Sequence, residues 1–297
     1  MIINAEALSA INKNFKSLYD AAFSKADPKW DQVAMKVNST SSANVYGWLG
    51  ASSHVKEWLG DRVIQNLKTH NFTIENKSFE STVAVDRDDI EDDNLGVYSP
   101  LVDDIGNNAA NFPDELVFGV LKDAFTTLCY DGQYLIDTDH PVIDKNGQEQ
   151  SVSNHGGGAS NPWFLIDDTK SIKPIIFQMR KEFQLTALDN PTDPNVFMKN
   201  QFIYGIDGRM NVGVALWQLI QGSKQTLDAT AYQARRTAMM NLTGDNGRPL
   251  RLKPSLLVVG PSNEQAAKDI LEAEKLANGA TNTNRNTAKL LVVPELG

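Results

Sequence analysis

Asp137-Thr138-Asp139-His140 puts two carboxylates and an imidazole within four residues, a ligand set that suits a divalent ion. A metal-dependent hydrolase could be built on Asp137, Asp139 and His140, but ligands this close together need remote partners to complete a shell. The other histidines, His54, His70 and His155, form no second cluster. The same residues make a good turn, because Asp and Thr side chains bond nearby backbone amides. The spacing favours the turn.

Other chemical signals are weaker. His155-Gly156-Gly157-Gly158 is similar to the oxyanion-hole run of some esterases, yet that motif needs a G-x-S-x-G nucleophile elbow and the chain has none. The run therefore reads as a flexible loop. Asp86 to Asp93 is acidic enough to attract calcium, but it lacks the spacing and the glycine of an EF-hand loop. It reads better as a cap for a following helix, or as a surface for a neighbour's lysines and arginines. No GxxxxGK[ST] or GxGxxG supports a nucleotide site. Cys129 has no activating base beside it and reads as buried and inert. No cofactor is implied.

The elements that carry these residues centre on Phe79 to Pro141. An alternating strand, with Val83 and Val85 on one face, leads into the acidic turn. Leu101, Ile105, Ala109, Phe112, Leu116, Val120, Ala124 and Leu128 then follow at steps of three and four, predicting one apolar stripe on a spine helix over about 97–129. Gly132 is expected to cap it, and Pro113 to kink or split it. Upstream, Leu8, Ile11, Phe15, Leu18, Tyr19 and Phe23 mark an amphipathic helix that packs on its own body or docks on a neighbour. Asp61 to Asp86 reads as strands of an extended hairpin that wants a partner surface.

Downstream, Val142 to Pro162 is turn-rich, and Trp163 to Leu188 alternates as strands around Lys173-Pro174. Val196 to Leu219 reads as a hairpin with its tight turn at Asp207-Gly208. A helix over Thr226 to Leu242, a buried strand at Leu256 to Val259, a helix over Asn263 to Leu276 capped by Ser262, and a buried strand at Leu290 to Val293 suggest a closing α/β layer. The fold class is α+β with elongated elements.

The 297 residues suffice for about two ordinary domains. A net charge of −9 argues against a sequence-reading nucleic-acid binder, though not against a protein lying near nucleic acid. One cysteine excludes intrachain disulfides and a cysteine metal cage. The apolar runs are too short to span a bilayer, and the N-terminus lacks the regions of a signal peptide, so a cytosol-like compartment is expected and no membrane.

Seven longer stretches stand out: YGWLG (Tyr46 to Gly50), EWLGDRVIQNL (Glu57 to Leu67), FESTVAVDRDDIEDDNLGVYSPL (Phe79 to Leu101), PDELVF (Pro113 to Phe118), TTLCYDGQYLIDTDHPV (Thr126 to Val142), DPNVFMK (Asp193 to Lys199) and RPLRLKPSLLVV (Arg248 to Val259). Together they resemble the major head (capsid) subunits of Mu-like tailed phages. The likeness runs in order over nearly the whole chain.

The resemblance implies the HK97-type capsid fold and a shell subunit rather than an enzyme. It implies an N-terminal arm over 1–45 and an E-loop region over 46–85. It also implies a P-domain over 86–134 and 160–222 with the spine helix, and an A-domain over 135–159 and 223–297. The subunit would form hexamers and pentamers of an icosahedral head around double-stranded DNA, with portal and scaffolding proteins as partners, after assembly in the bacterial cytoplasm. The subunit contacts expected are Phe15, Tyr19, Trp48, Trp58, Arg62, Phe72, Lys77, Asp88, Asp89 and Asp92. A lysine–asparagine cross-link, known in the wider fold, has no motif here. An encapsulin-like compartment shell is the alternative within the same fold.

Overall fold

The structure, a computed structural model, describes residues 5–47, 72–92, 95–276 and 278–297. The chain opens with helix α1 (Ala5–Lys25), and a 3-10 turn at Trp30–Gln32 leads into strand β1 (Ala34–Asn38). Strands β2 (Ala43–Tyr46) and β3 (Phe72–Glu75) form a two-stranded ribbon, and β4 (Lys77–Asp86) follows. Next come helices α2 (Arg87–Glu91) and α3 (Ser99–Lys122), the hairpin β5 (His140–Ile143) and β6 (Glu149–Val152), and β7 (His155–Gly158). Strands β8 (Trp163–Ile166) and β9 (Ile175–Leu188) precede helix α4 (Pro194–Lys199), β10 (Gln201–Val214) and β11 (Ile220–Lys224). The chain ends with α5 (Ala229–Met240), the short pair β12 (Thr243–Gly244) and β13 (Arg248–Pro249), β14 (Leu256–Val259), α6 (Glu264–Leu271) and β15 (Lys289–Val292).

Two sheets organise these elements. The first has the order β1-β9-β10-β4, with β9 and β10 each 14 residues long and antiparallel. Helices α1 and α3 cover one of its faces. Leu8, Ile11, Phe15 and Tyr19 of α1 meet Val102, Ile105 and Ala109 of α3 over Val85, Phe202, Tyr204 and Ile206. The two helices come so close that a Cβ at Gly106 would lie 2.7 Å from the Tyr19 carbonyl oxygen and 2.9 Å from the Ala22 Cβ. The second sheet has the order β15-β14-β8-β11-β7. Its central strands, Trp163–Ile166 and Leu256–Val259, are buried at every position, which explains their unbroken apolar sequence. One face packs against α5 and α6 through Trp163, Leu165, Tyr232, Leu257, Val259 and Ile270. The other face joins the C-terminal half of α3 and the near end of the first sheet, through Val117, Leu121, Phe164, Ile175, Phe177, Val214 and Val258. This shared core ties the two sheets together.

The spine is real but shorter than its pattern. It spans Ser99–Lys122, about 36 Å at roughly 1.5 Å per residue, and continues as one α-helix through Pro113. Pro113 is buried in the core stripe; the helix forgoes the hydrogen bond that residue 113 would have donated to the Ala109 carbonyl and gains the packing of the ring in the core. The buried stripe is Val102, Ile105, Ala109, Pro113, Val117 and Leu121, about one position off the expected one. Leu101 and Leu128 are exposed. Gly132 does not cap the helix; its φ of +88° serves a later turn, in which its N–H bonds the Cys129 carbonyl at 3.2 Å.

Two further expectations are corrected. Asp207-Gly208 is not a hairpin turn, because β10 runs straight through it and takes up the irregularity as a register shift against β9. The reversal lies instead at α4, before β10 begins. Strands β8 and β11 pair within the second sheet, alongside the terminal strands β14 and β15. Finally, the helix after Pro261 is Glu264–Leu271 and has no side-chain cap; a 3-10 turn at Pro261–Asn263 introduces it.

Candidate assembly surface

The chemistry-bearing residues are consumed inside the subunit. His140 is fully buried; its Nδ1 lies 2.7 Å from Asp131 Oδ2 and its ring stacks on Trp217 at 4.0 Å and 7°. Asp137 stays at the turn, where its carboxylate accepts from the Tyr134 and Thr138 N–H groups at 3.0 and 2.7 Å. Buried Asn154 holds the turn against the sheet by accepting from the Asp137 N–H and donating to the Leu135 carbonyl, both at 2.8 Å. The run Asp137 to His140 is thus pulled in two directions rather than gathered around an ion. Among the described residues no group of three or more His, Cys, Asp or Glu side chains is placed to hold a metal ion.

The glycine run is an edge strand rather than a free loop. His155–Gly158 pairs in parallel with β11, and a Cβ at Gly158 (φ +90°) would sit 2.2 Å from the Lys224 carbonyl oxygen. The Gly157 N–H donates to His155 Nδ1 at 2.8 Å, which requires that nitrogen to be unprotonated. Burial keeps the imidazole below its ordinary value, helped by the Lys224 and Arg235 cations and opposed by Asp137. Cys129 is buried, with Sγ 3.7 Å from the Ala215 carbonyl, and burial pushes its thiol far up.

The residues expected at subunit contacts fall into four groups. Phe15 and Tyr19 are corrected: both are buried in their own subunit. The Phe15 ring meets Tyr204 edge-on at 5.0 Å, and the Tyr19 hydroxyl donates to the Phe183 carbonyl at 3.4 Å. Burial, then Asp20, pushes the Tyr19 phenol up to about 12. Among the acidic residues, Asp88 accepts from Asn200 Nδ2 at 3.0 Å and so ties α2 to the end of α4, while Asp89 accepts from the Tyr98 hydroxyl and braces the start of α3. The Asp92 side chain is exposed. Phe72 is half-buried opposite Tyr46 in the ribbon, while Lys77 is exposed at the start of β4. Trp48, Trp58 and Arg62 lie outside the described residues.

The largest exposed apolar side chains sit elsewhere. Phe197 is 81% and Met198 76% exposed, both on α4 at the far end of the long strands, with Leu188 beside them at the end of β9. The Arg87 N–H donates to the Asn200 carbonyl at 2.9 Å and so ties this tip to α2; the Tyr98–Asp89 bond ties α2 to the start of α3. Val97 and Leu101, at that start, are exposed as well. This end of the molecule is therefore an apolar knob with carboxylates nearby. Reading Val196 to Leu219 as a hairpin hid it. The signal was present, since Asp193-Pro194 is a helix-start pair that turns Val196 inward and leaves Phe197-Met198 outward. Among the described residues no helix is long and apolar enough to cross a membrane.

Comparison with known proteins agrees with this picture. Residues 8–296 match the family described as Mu-like prophage major head subunit gpT. The chain is 38% identical to the major capsid protein of Escherichia phage Mu, covering 99% of this chain and 98% of that one. It is 42% identical to the Mu-like prophage FluMu major head subunit of Haemophilus influenzae, covering 88% and 86% of the two. Among solved structures, a chain of the bacteriophage JBD30 procapsid superposes with a TM-score of 0.89 at 41% identity, over 99% of this chain and all of that one. A chain of the JBD30 capsid superposes at 0.79 with 32% identity, over the whole of both chains. By sequence and by fold, this chain belongs to the family of Mu-like prophage major head subunits, with the architecture of a phage capsid shell protein.

Proposed function

We propose that this protein is the shell-forming subunit of a phage head, assembling into hexamers and pentamers that close into an icosahedral particle around double-stranded DNA. The observation that carries the reading is the near-complete superposition on a phage procapsid chain, at a TM-score of 0.89 across 99% of the residues. Portal and scaffolding proteins are the expected partners, the virion the expected location, and the host cytoplasm the place of assembly. A net charge of −9 suits such a wall, because it keeps the packaged polyanion from adsorbing irreversibly. The compartment-shell alternative draws no support from the relatives, which are phage and prophage head proteins.

The α1–α3 layer on the first sheet fits the P-domain, and the second sheet with α5 and α6 fits the A-domain, with β8 and β11 moved to the latter. The role is structural rather than catalytic, since the candidate catalytic groups are spent on turns and packing. Phe197, Met198 and Leu188 join Lys77, Phe72 and Asp92 as candidate contacts, because exposed apolar anchors are what an interface buries. Sedimentation of the protein co-expressed with its scaffolding partner tests the reading. Fast-sedimenting closed particles are expected, and a permanently monomeric chain would overturn it.

A further inference from the structure

The first sheet ends on β4, whose outer side pairs with nothing among the described residues. The hydrogen bond from the Arg87 N–H to the Asn200 carbonyl sets the phase of the ladder beside it. In an antiparallel pair, residues that exchange hydrogen bonds alternate with residues whose N–H and C=O point away. Counting back along the register from Arg87–Asn200, the amides of Val85, Val83, Ser81 and Phe79 belong to β10. Those of Ser78, Glu80, Thr82 and Ala84 then face outward. The strand is 10 residues long, giving a rail of about 33 Å at roughly 3.3 Å per residue.

The rail carries few of the guards that soluble proteins place on an edge. Lys77 stands at its start, no proline interrupts it, and Glu80 is the one charged residue between Lys77 and Asp86. The Glu80 carboxylate accepts from the Thr82 hydroxyl at 2.7 Å, so its charge is held within the strand's own surface. Phe79, Val83 and Val85 are turned toward the core, leaving the small side chains of Ser78, Thr82 and Ala84 exposed. The opposite edge of the same sheet differs. Where β1 stops pairing at Met179, β9 continues with Arg180, Lys181 and Glu182, and Lys36 pairs with Glu182 at 2.9 Å. At the next residue, the Phe183 carbonyl accepts from the Tyr19 hydroxyl of α1.

We infer that the outer edge of β4 receives a backbone strand from a second copy of this chain, so that the first sheet continues across a contact between subunits. An unguarded edge of this length is an aggregation hazard on a free monomer, and its outward amides seek a partner. In a shell each subunit meets its own copies at fixed places, which turns the same edge into a directed contact held by main-chain hydrogen bonds. With Glu80 and Asp86 as the only carboxylates along it, the rail favours an incoming strand that is neutral or basic there.

This inference rests on the shell reading, and amide hydrogen exchange separates the two. In the free subunit the amides of Ser78, Glu80, Thr82 and Ala84 exchange fast while those of Val83 and Val85 are protected. On assembly of the protein with no decoration protein present, the outward set is expected to slow by about a hundredfold or more. Ala84→Pro removes one outward N–H without touching the β10 ladder; the subunit is expected to keep its thermal midpoint but to form particles poorly. Closed particles in which the outward amides stay as fast as in the free subunit overturn the edge contact alone. So does protection that arises only when a different protein is added. Absence of any particle overturns the shell reading and the edge contact together.

Discussion

His155 must stay neutral for its turn to hold, because Nδ1 accepts the Gly157 N–H. Its value in the fold lies below the ordinary one, chiefly through burial. The unfolded chain therefore takes up this proton near pH 6.5 while the folded chain resists it, so stability falls as pH drops below that point. His155→Gln, which keeps an acceptor but cannot titrate, is expected to flatten the thermal midpoint across about pH 5 to 7. An unchanged acid slope would show that the turn tolerates protonation. Residue chemistry was only partly legible in the sequence. Asp137, Asp139 and His140 are adjacent in the chain, yet the strand that starts at His140 carries its ring inward onto Trp217 and leaves Asp137 at the turn. Periodicity marked Phe15 and Tyr19 as apolar but could not say which subunit would bury them. Their contacts with Tyr204 and Phe183 come from strands more than 160 residues away, as the Tyr19–Phe183 separation of 164 illustrates.

Among the elements, α1 and α3 are the pair most sensitive to a single change. Gly106 lets them touch, and any side chain there meets the Tyr19 carbonyl, which can give way only if α1 shifts or unwinds. Gly106→Leu is expected to destabilise the subunit by about 1 to 3 kcal/mol, read as a lower denaturation midpoint. A neutral outcome would mean that α1 shifts freely on α3. Long amphipathic elements and the buried strands were the legible part of the fold, because core burial imposes the period directly. Leu256 to Val259 was expected as a strand and is one. The element ends were not legible. Asp207-Gly208 has a turn's composition, but two flanking strands hold β10 extended through it and absorb the strain as a register shift. Pro113 has a breaker's composition, but the packing of Val117, Phe118 and Leu121 below it keeps the helix in one piece.

At the scale of the molecule, the long sheet carries its apolar knob at the end away from the second sheet, while the shared core through Val117, Phe164 and Val258 joins the two. That is a sound construction for a tile, whose contacts lie at its extremities. Phe197→Asp with Met198→Asp is expected to leave folding unchanged, since both side chains are already in water, and to reduce particle yield severely. Normal particles from that variant would remove the knob from the interface. The division into two layers was legible from the terminal strand–helix–strand pattern; the assignment of β8 and β11 was not, because sheet partnership is settled by packing across the whole chain. The central claim is that the chain is one tile of a closed shell, and cryo-EM of the co-expressed, purified protein tests it most directly. Closed icosahedral particles whose density accepts this fold, with Phe197 and Met198 buried between copies, are the predicted result; dispersed monomers or shapeless aggregates would contradict it.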